Sequence, residues 1–227
     1  MSSNVDFDWQ KGIKPDKSVY VHAAGFLLAG GRSSRMGRDK ALLTLGGEPL
    51  IRIGLEKLRI TCAEVAIAGG AKDLAEFARV IPDQQLGCGP LGGIVSAIEQ
   101  SSFEWNLFLP VDVPFVPLAC LKSLLSMAAG FPCVCVMARV GGENQPLCAV
   151  YSRKALDVLQ ESLTAGKWKV TDAILAAGAV KFIDFDDPSW FVNLNTPEEF
   201  AEAERRLEKS DGLGWMYGFS GERLIDG

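Results

Sequence analysis

At 227 residues the chain holds one domain, or at most two, at about 150 residues per domain. A single core of that size buries roughly 70% or more of the surface the unfolded chain exposes, so neither disulfides nor a structural metal is needed to staple it. The composition, 48% hydrophobic and 22% charged, excludes a disordered chain. The 23 Lys and Arg against 28 Asp and Glu leave a net charge of −5, which argues against broad contact with a nucleic acid and leaves room for a local basic pocket.

The single histidine, His22, cannot build a multi-His metal site, and no Cys-x-x-Cys pair replaces it. Its place in an apolar run makes it a poor base for a Ser-His-Asp device. The longest apolar run, Val19–Gly31, is too short to span a bilayer, so no membrane role is expected. Cys62, Cys120, Cys133, Cys135 and Cys148 sit in apolar segments without framework spacing, and Asp6 and Asp8 occupy the place of a basic secretion leader. Reduced core cysteines and a cytoplasmic protein are expected.

In chain order, residues 1–18 are polar and mixed in charge and read as a flexible arm. A single domain is expected over 19–209, with a tail over 210–227 that carries Trp215, Met216, Tyr217 and Phe219 among glycines. Strands are predicted at Ala24–Ala29, Glu64–Ala68, Val80–Ile81, Asn106–Val111, Cys133–Val140, Leu147–Tyr151 and Val180–Asp184, the fifth and sixth joined across Gly141-Gly142. Helices are predicted at Pro49–Leu58, Leu74–Ala78, Gly93–Gln100, Pro117–Ala128, Lys154–Leu163, Val170–Ala176 and Pro197–Leu207. Alternating strands and helices imply a three-layer α/β/α, Rossmann-like domain with a mostly parallel central sheet.

In such sheets ligands bind beyond the carboxyl ends of the strands. The distinctive polar residues fall there: Gly30-Gly31 after the first strand, Asp83 after the third, Asp112 after the fourth. The first of these loops runs Leu28-Ala29-Gly30-Gly31-Arg32-Ser33-Ser34-Arg35-Met36-Gly37-Arg38-Asp39-Lys40. Its glycines let backbone amides approach an anion, and its four cations suit a triphosphate. It is neither a Walker loop nor a dinucleotide fingerprint; the competing reading is a solvated basic loop. Gly87–Gly93 forms a second glycine-rich approach to a helix N-terminus, able to take an anion or a flat base, or to be an ordinary loop. Asp112, in Pro110-Val111-Asp112-Val113-Pro114, suits Mg²⁺, which takes one or two carboxylates plus substrate phosphates; a turn or helix-cap aspartate is the alternative. Asn193 and Asn195, two apart in an extended segment, face the same way and can bond a polar heterocycle, while Thr196 is the better cap for the last helix.

Taken together, the Leu28–Lys40 loop, Gly89-Pro90-Leu91-Gly92-Gly93, Pro110–Pro114 and Val192-Asn193-Leu194-Asn195-Thr196-Pro197-Glu198-Glu199 resemble the molybdenum cofactor guanylyltransferases, with the motifs in order from about Gly25 to Leu207. The resemblance implies the nucleotidyltransferase fold and an enzyme that moves GMP from GTP to molybdopterin or Mo-molybdopterin, releasing pyrophosphate with Mg²⁺ as cofactor. It implies Arg35, Lys40 and Asp112 as catalytic and Leu28, Ala29, Gly30, Gly31, Lys40, Asp83 and Asp112 as nucleotide-binding. It further implies Asp112 as metal ligand, and Asn193, Asn195 and Lys169 on the acceptor side. One departure is Gly69, where the family often has asparagine. Cofactor-biosynthesis proteins and a target molybdoenzyme are the implied protein partners. A cytidylyltransferase or sugar-1-phosphate nucleotidylyltransferase of the same fold, or a non-catalytic cofactor-delivery module, are the rivals.

Overall fold

Strand β1 (Ala23–Leu28) is buried at every position, because both of its faces and both of its edges are covered. The computed structural model describes residues 22–30, 40–69, 72–85 and 87–208. Both the N-terminal arm and the aromatic tail lie outside the described residues. After β1 come β2 (Thr44–Leu45), β3 (Glu48–Pro49), α1 (Leu50–Thr61), β4 (Glu64–Ala68), β5 (Val80–Ile81), α2 (Pro90–Gln100) and β6 (Trp105–Pro110). The second half runs α3 (Leu118–Gly130), β7 (Cys135–Val140), β8 (Glu143–Ser152), α4 (Leu156–Thr164), α5 (Val170–Ala176), β9 (Val180–Phe185) and α6 (Pro197–Glu208).

The seven-stranded sheet has the order β5-β4-β1-β6-β8-β7-β9. Its pairs are parallel except where β8 runs antiparallel to β6 and β7, so the sheet is mostly parallel as expected. Side chains alternate between two cores. Leu27, Ile67, Leu107 and Val136 join α1, α3 and α6 on one face, and Phe26, Ala66, Phe108 and Met137 join α2, α4 and α5 on the other. The three layers follow from that period of two. The chain leaves β1 outward to β4 and returns to β6 on the other side. The carboxyl ends of β1 and β6 therefore flank the crevice where this topology binds ligands.

Four elements differ from expectation. The helix expected at Leu74–Ala78 is a 3-10 turn over Lys72–Glu76. A short ribbon, β2 with β3, precedes α1; arms of two residues are too short to show a period. Strand β8 begins at Glu143 rather than Leu147, because a two-residue turn with positive φ at Gly141 and Gly142 extends the ladder to Val140–Glu143 through polar residues. Helix α2 begins at Pro90, not Gly93, with proline in its first turn and Gly89 at φ 64° before it, so Leu91-Gly92-Gly93 are helical rather than loop. All six cysteines are free. Among the described residues no helix is long and apolar enough to cross a membrane.

Candidate active site

The loops after β1 and β6 and the segment before α6 meet at one ammonium. Lys40 opens a 3-10 turn anchored by the buried Ala41. Its Nζ donates to Asp112 Oδ2 at 2.8 Å and to Asn195 Oδ1 at 2.6 Å. The Lys40 and Asp112 side chains are 13% and 25% exposed, so the pair is sheltered yet reachable by a ligand. Asp112 follows β6, whose register against β1 is continued by Val111 donating to the Leu28 carbonyl at 3.0 Å. Asn195 is delivered by its neighbour: Leu194 is fully buried, and its N–H donates to the Asp112 carbonyl at 2.9 Å. Thr196 Oγ1 accepts from the Glu199 N–H at 3.2 Å, and Glu199 takes the Asn195 and Thr196 N–H groups in return. The Thr196 cap is the one the sequence predicts, Glu199 completes it as a capping box, and the asparagine side chains are left free of capping duty.

A second cradle lies at the ends of β4 and β5. Asp83 Oδ1 is buried and has no hydrogen-bond partner among the described residues. Burial raises its pKa above the ordinary carboxyl value. Two glycines wall it. A Cβ on Gly93 would stand 3.1 Å from Asp83 Oδ1, and one on Gly69 would stand 3.3 Å from it and 3.1 Å from Gly30 Cα. Gly69 also has φ +72°, and its N–H donates to the Ile81 carbonyl at 2.9 Å. Glycine suits this position: its φ is positive, and a Cβ would press on the backbone of Gly30. A buried acceptor without a donor, bounded by positions lacking side chains, suits a flat ligand that carries N–H or O–H groups.

The two cradles bring together Leu28, Ala29, Gly30, Lys40, Asp83 and Asp112, the described residues that the sequence expects on the nucleotide side. Ala29 donates to the Ala68 carbonyl at 3.2 Å, tying the Gly30 loop to β4. Gly31 and Arg35 lie outside the described residues, as do Arg32, Gly37 and Arg38. Asn195, expected on the acceptor side and apart from the phosphate loop, instead touches Lys40, so the two sets meet at a shared ammonium. Asn193 is exposed on the other side of Leu194. Lys169 precedes α5 and pairs with Asp172 at 3.0 Å, both side chains exposed. Because β8 ends opposite the start of β6 and α4 runs back from there, the loop before Lys169 lies at the same edge of the sheet as the strand carboxyl ends.

Three supporting residues escape sequence reasoning. Lys57 of α1 is fully buried and donates to the carbonyls of Pro114 and Val116. Burial pulls its ammonium down to about 7, with the Cys148 and Cys120 thiols opposing that shift. Arg206 lies 4.4 Å over the Phe115 ring and donates to the Ser189 carbonyl. Leu194 completes the set. The signal for Lys57 is spacing: it falls seven after Leu50 and four after Ile53, on the buried face of α1.

Residues 25–179 match the family of MobA-like NTP transferase domains. The chain belongs to that family. A probable molybdenum cofactor guanylyltransferase of Pelotomaculum thermopropionicum is 35% identical over 206 residues, covering 86% of this chain and 99% of the relative. A molybdenum cofactor guanylyltransferase of Rhizobium johnstonii is 36% identical over 207 residues, covering 85% and 95%. Among solved structures, molybdopterin-guanine dinucleotide biosynthesis protein A of Archaeoglobus fulgidus superposes with a TM-score of 0.70 at 26% identity, covering 82% of this chain and 99% of that one. A 4-diphosphocytidyl-2C-methyl-D-erythritol synthase of Anaerococcus prevotii superposes with a TM-score of 0.65 at 12% identity over 83% of this chain and 99% of that one. The last shows the fold alone.

Proposed function

We propose that the chain transfers GMP from GTP to molybdopterin or Mo-molybdopterin, acting as a molybdenum cofactor guanylyltransferase. The observation that carries this reading is the pair of cradles: a cation held between a carboxylate and an amide at the ends of β1 and β6, beside a buried acceptor walled by glycines. The similar proteins named as guanylyltransferases, matched over nearly their whole length, support the same reading.

The terminal phosphate of the acceptor attacks the α-phosphorus of GTP. A phosphorus–oxygen bond to the acceptor forms, the α–β bridge breaks, and pyrophosphate leaves. The attacking phosphate is already ionised, so no strong base is required. The protein's share is in-line placement and charge neutralisation. Lys40 is the described cation at hand for the phosphates. Asp83 accepts a donor from the base or ribose; guanine offers N1–H and N2–H₂ on one edge.

Among the described residues no group of three or more His, Cys, Asp or Glu is placed to hold a metal. A lone, sheltered carboxylate fits Mg²⁺, which completes its shell with phosphates and water. Asp112 would hold that ion, and the ion would supply Lewis-acid polarisation of the phosphoryl group. Turning from Asp112 to the phosphates would leave Lys40 neutralising charge on the leaving pyrophosphate. Six unpaired thiols accord with a reducing, cytoplasmic setting.

Thermal melting tests the choice of base. At a concentration of GTP a hundred times its dissociation constant, binding adds about 2.7 kcal/mol, or roughly 5–11 °C of melting temperature for a domain of this size. CTP at the same concentration should shift it far less; an equal shift by CTP favours the cytidylyl alternative. Asp83→Asn extends the test. A carboxyl whose pKa is raised in the fold costs stability as pH rises through that value. At pH 7 the ligand-free variant should therefore melt no lower than the parent while most of its GTP shift is lost. A lower melting point with the GTP shift intact would make Asp83 a structural residue.

A further inference from the structure

We propose that Lys57 is a positioning residue that sets the Asp112 carboxylate through the loop that follows it. The inference rests on the reading of Asp112 as the metal carboxylate.

The loop from Pro110 to Pro117 contains three prolines, none of which can donate a backbone hydrogen bond. Two long contacts close its own turns, Val113 N–H to the Pro110 carbonyl at 3.5 Å and Val116 N–H to the Val113 carbonyl at 3.4 Å. Val113, Phe115 and Val116 are nonetheless buried, so the loop's carbonyls need donors from outside. Lys57 supplies them from α1: its Nζ donates to Val116 O at 2.8 Å and to Pro114 O. The opposite side of the loop is held by Leu194 N–H on the Asp112 carbonyl and by Arg206 over Phe115. Asp112 is thus the reachable residue at the start of a loop fixed from α1, from the segment before α6, and from α6 itself.

A neutral core would have been the simpler solution on this face of α1. Its other buried side chains are apolar apart from Thr61, which bonds back to its own helix. A buried ammonium is costly unless its hydrogen bonds are made. Here they go to the two carbonyls two and four residues beyond Asp112. Removing them loosens the backbone that aims the carboxylate, while Lys40 keeps its own turn and its bond to Asn195, and the glycine cradle makes no bond to Lys57.

Lys57→Met keeps an unbranched chain one atom shorter and removes the donors; Lys57→Gln keeps a donor on a shorter chain. Folding is followed by thermal melting, GTP affinity without metal by calorimetry, and metal affinity by electron paramagnetic resonance of Mn²⁺ with GTP present. In folded Lys57→Met, Mn²⁺ affinity should fall about tenfold and turnover with it, GTP affinity without metal should stay within threefold, and Lys57→Gln should lie between. Unchanged Mn²⁺ affinity in the folded Met variant, or an equal loss of metal-free GTP affinity, overturns the proposal. Should Lys57→Met fail to fold, Lys57→Gln decides alone: Mn²⁺ affinity weakened threefold or more sustains it, and parental affinity overturns it. The parent protein separates the two claims, since absence of Mn²⁺ binding with GTP in the parent rejects Asp112 as a metal site whatever Lys57 does.

Discussion

Asp112→Asn should fold as the parent does and lose turnover by about two to three orders of magnitude. The fold survives because asparagine has nearly the same size and still offers Oδ1 to Lys40, so the ammonium keeps both of its hydrogen-bond acceptors. The backbone bond from Leu194 to the Asp112 carbonyl does not depend on the side chain. Turnover collapses because the amide lacks the charge that holds Mg²⁺. Losing the several kcal/mol that a metal supplies to a phosphoryl transition state gives the stated range, at about 1.4 kcal/mol per decade. Single-turnover rates at saturating GTP, beside melting curves, check it. Full activity in Asp112→Asn would remove the residue from the chemistry.

Lys40→Ala should weaken GTP by one to two decades and leave guanosine nearly unchanged. Hydrogen bonds to charged groups are worth roughly 1.5–3 kcal/mol, and the missing contact is to phosphate. The structure adds a consequence. Lys40 joins Asp112 to Asn195 across sequence separations of 72 and 155 residues, so the substitution also releases the Asn195 amide proposed to meet the acceptor. Turnover at saturating GTP should therefore fall as well. Calorimetry with GTP, GDP and guanosine measures the first effect. Equal weakening of guanosine and GTP would mean that Lys40 supports the base or the fold.

Much of this architecture is legible in the sequence because the period of the chain is set by burial. Phe26, Leu27, Phe108 and Leu109 read as strand because they serve two cores in alternation. Asp83 and Asp112 stand out because each is a carboxylate just past an apolar run. What stayed illegible depends on long-range contact. No local signal says that Asn195 reaches Lys40; the spacing offers only two amides facing one way, suited to a polar heterocycle. The start of α2 at Pro90 hides behind glycines that usually mark a loop. Lys57 sits on the apolar face of α1, but only the folded loop supplies the carbonyls that make a buried lysine tolerable. Gly69 reads as a missing side chain until its positive φ and the approach of Gly30 show that glycine suits the position.

The central claim is nucleotidyl transfer to a pterin phosphate with guanine as the base. Pyrophosphate release with each of the four nucleoside triphosphates, with and without molybdopterin and in the presence of Mg²⁺, tests it most directly. The account predicts release with GTP and molybdopterin together and only background release with ATP, CTP or UTP, or without the acceptor. Equal release with CTP, or GTP binding with no pyrophosphate in the presence of molybdopterin, would contradict it.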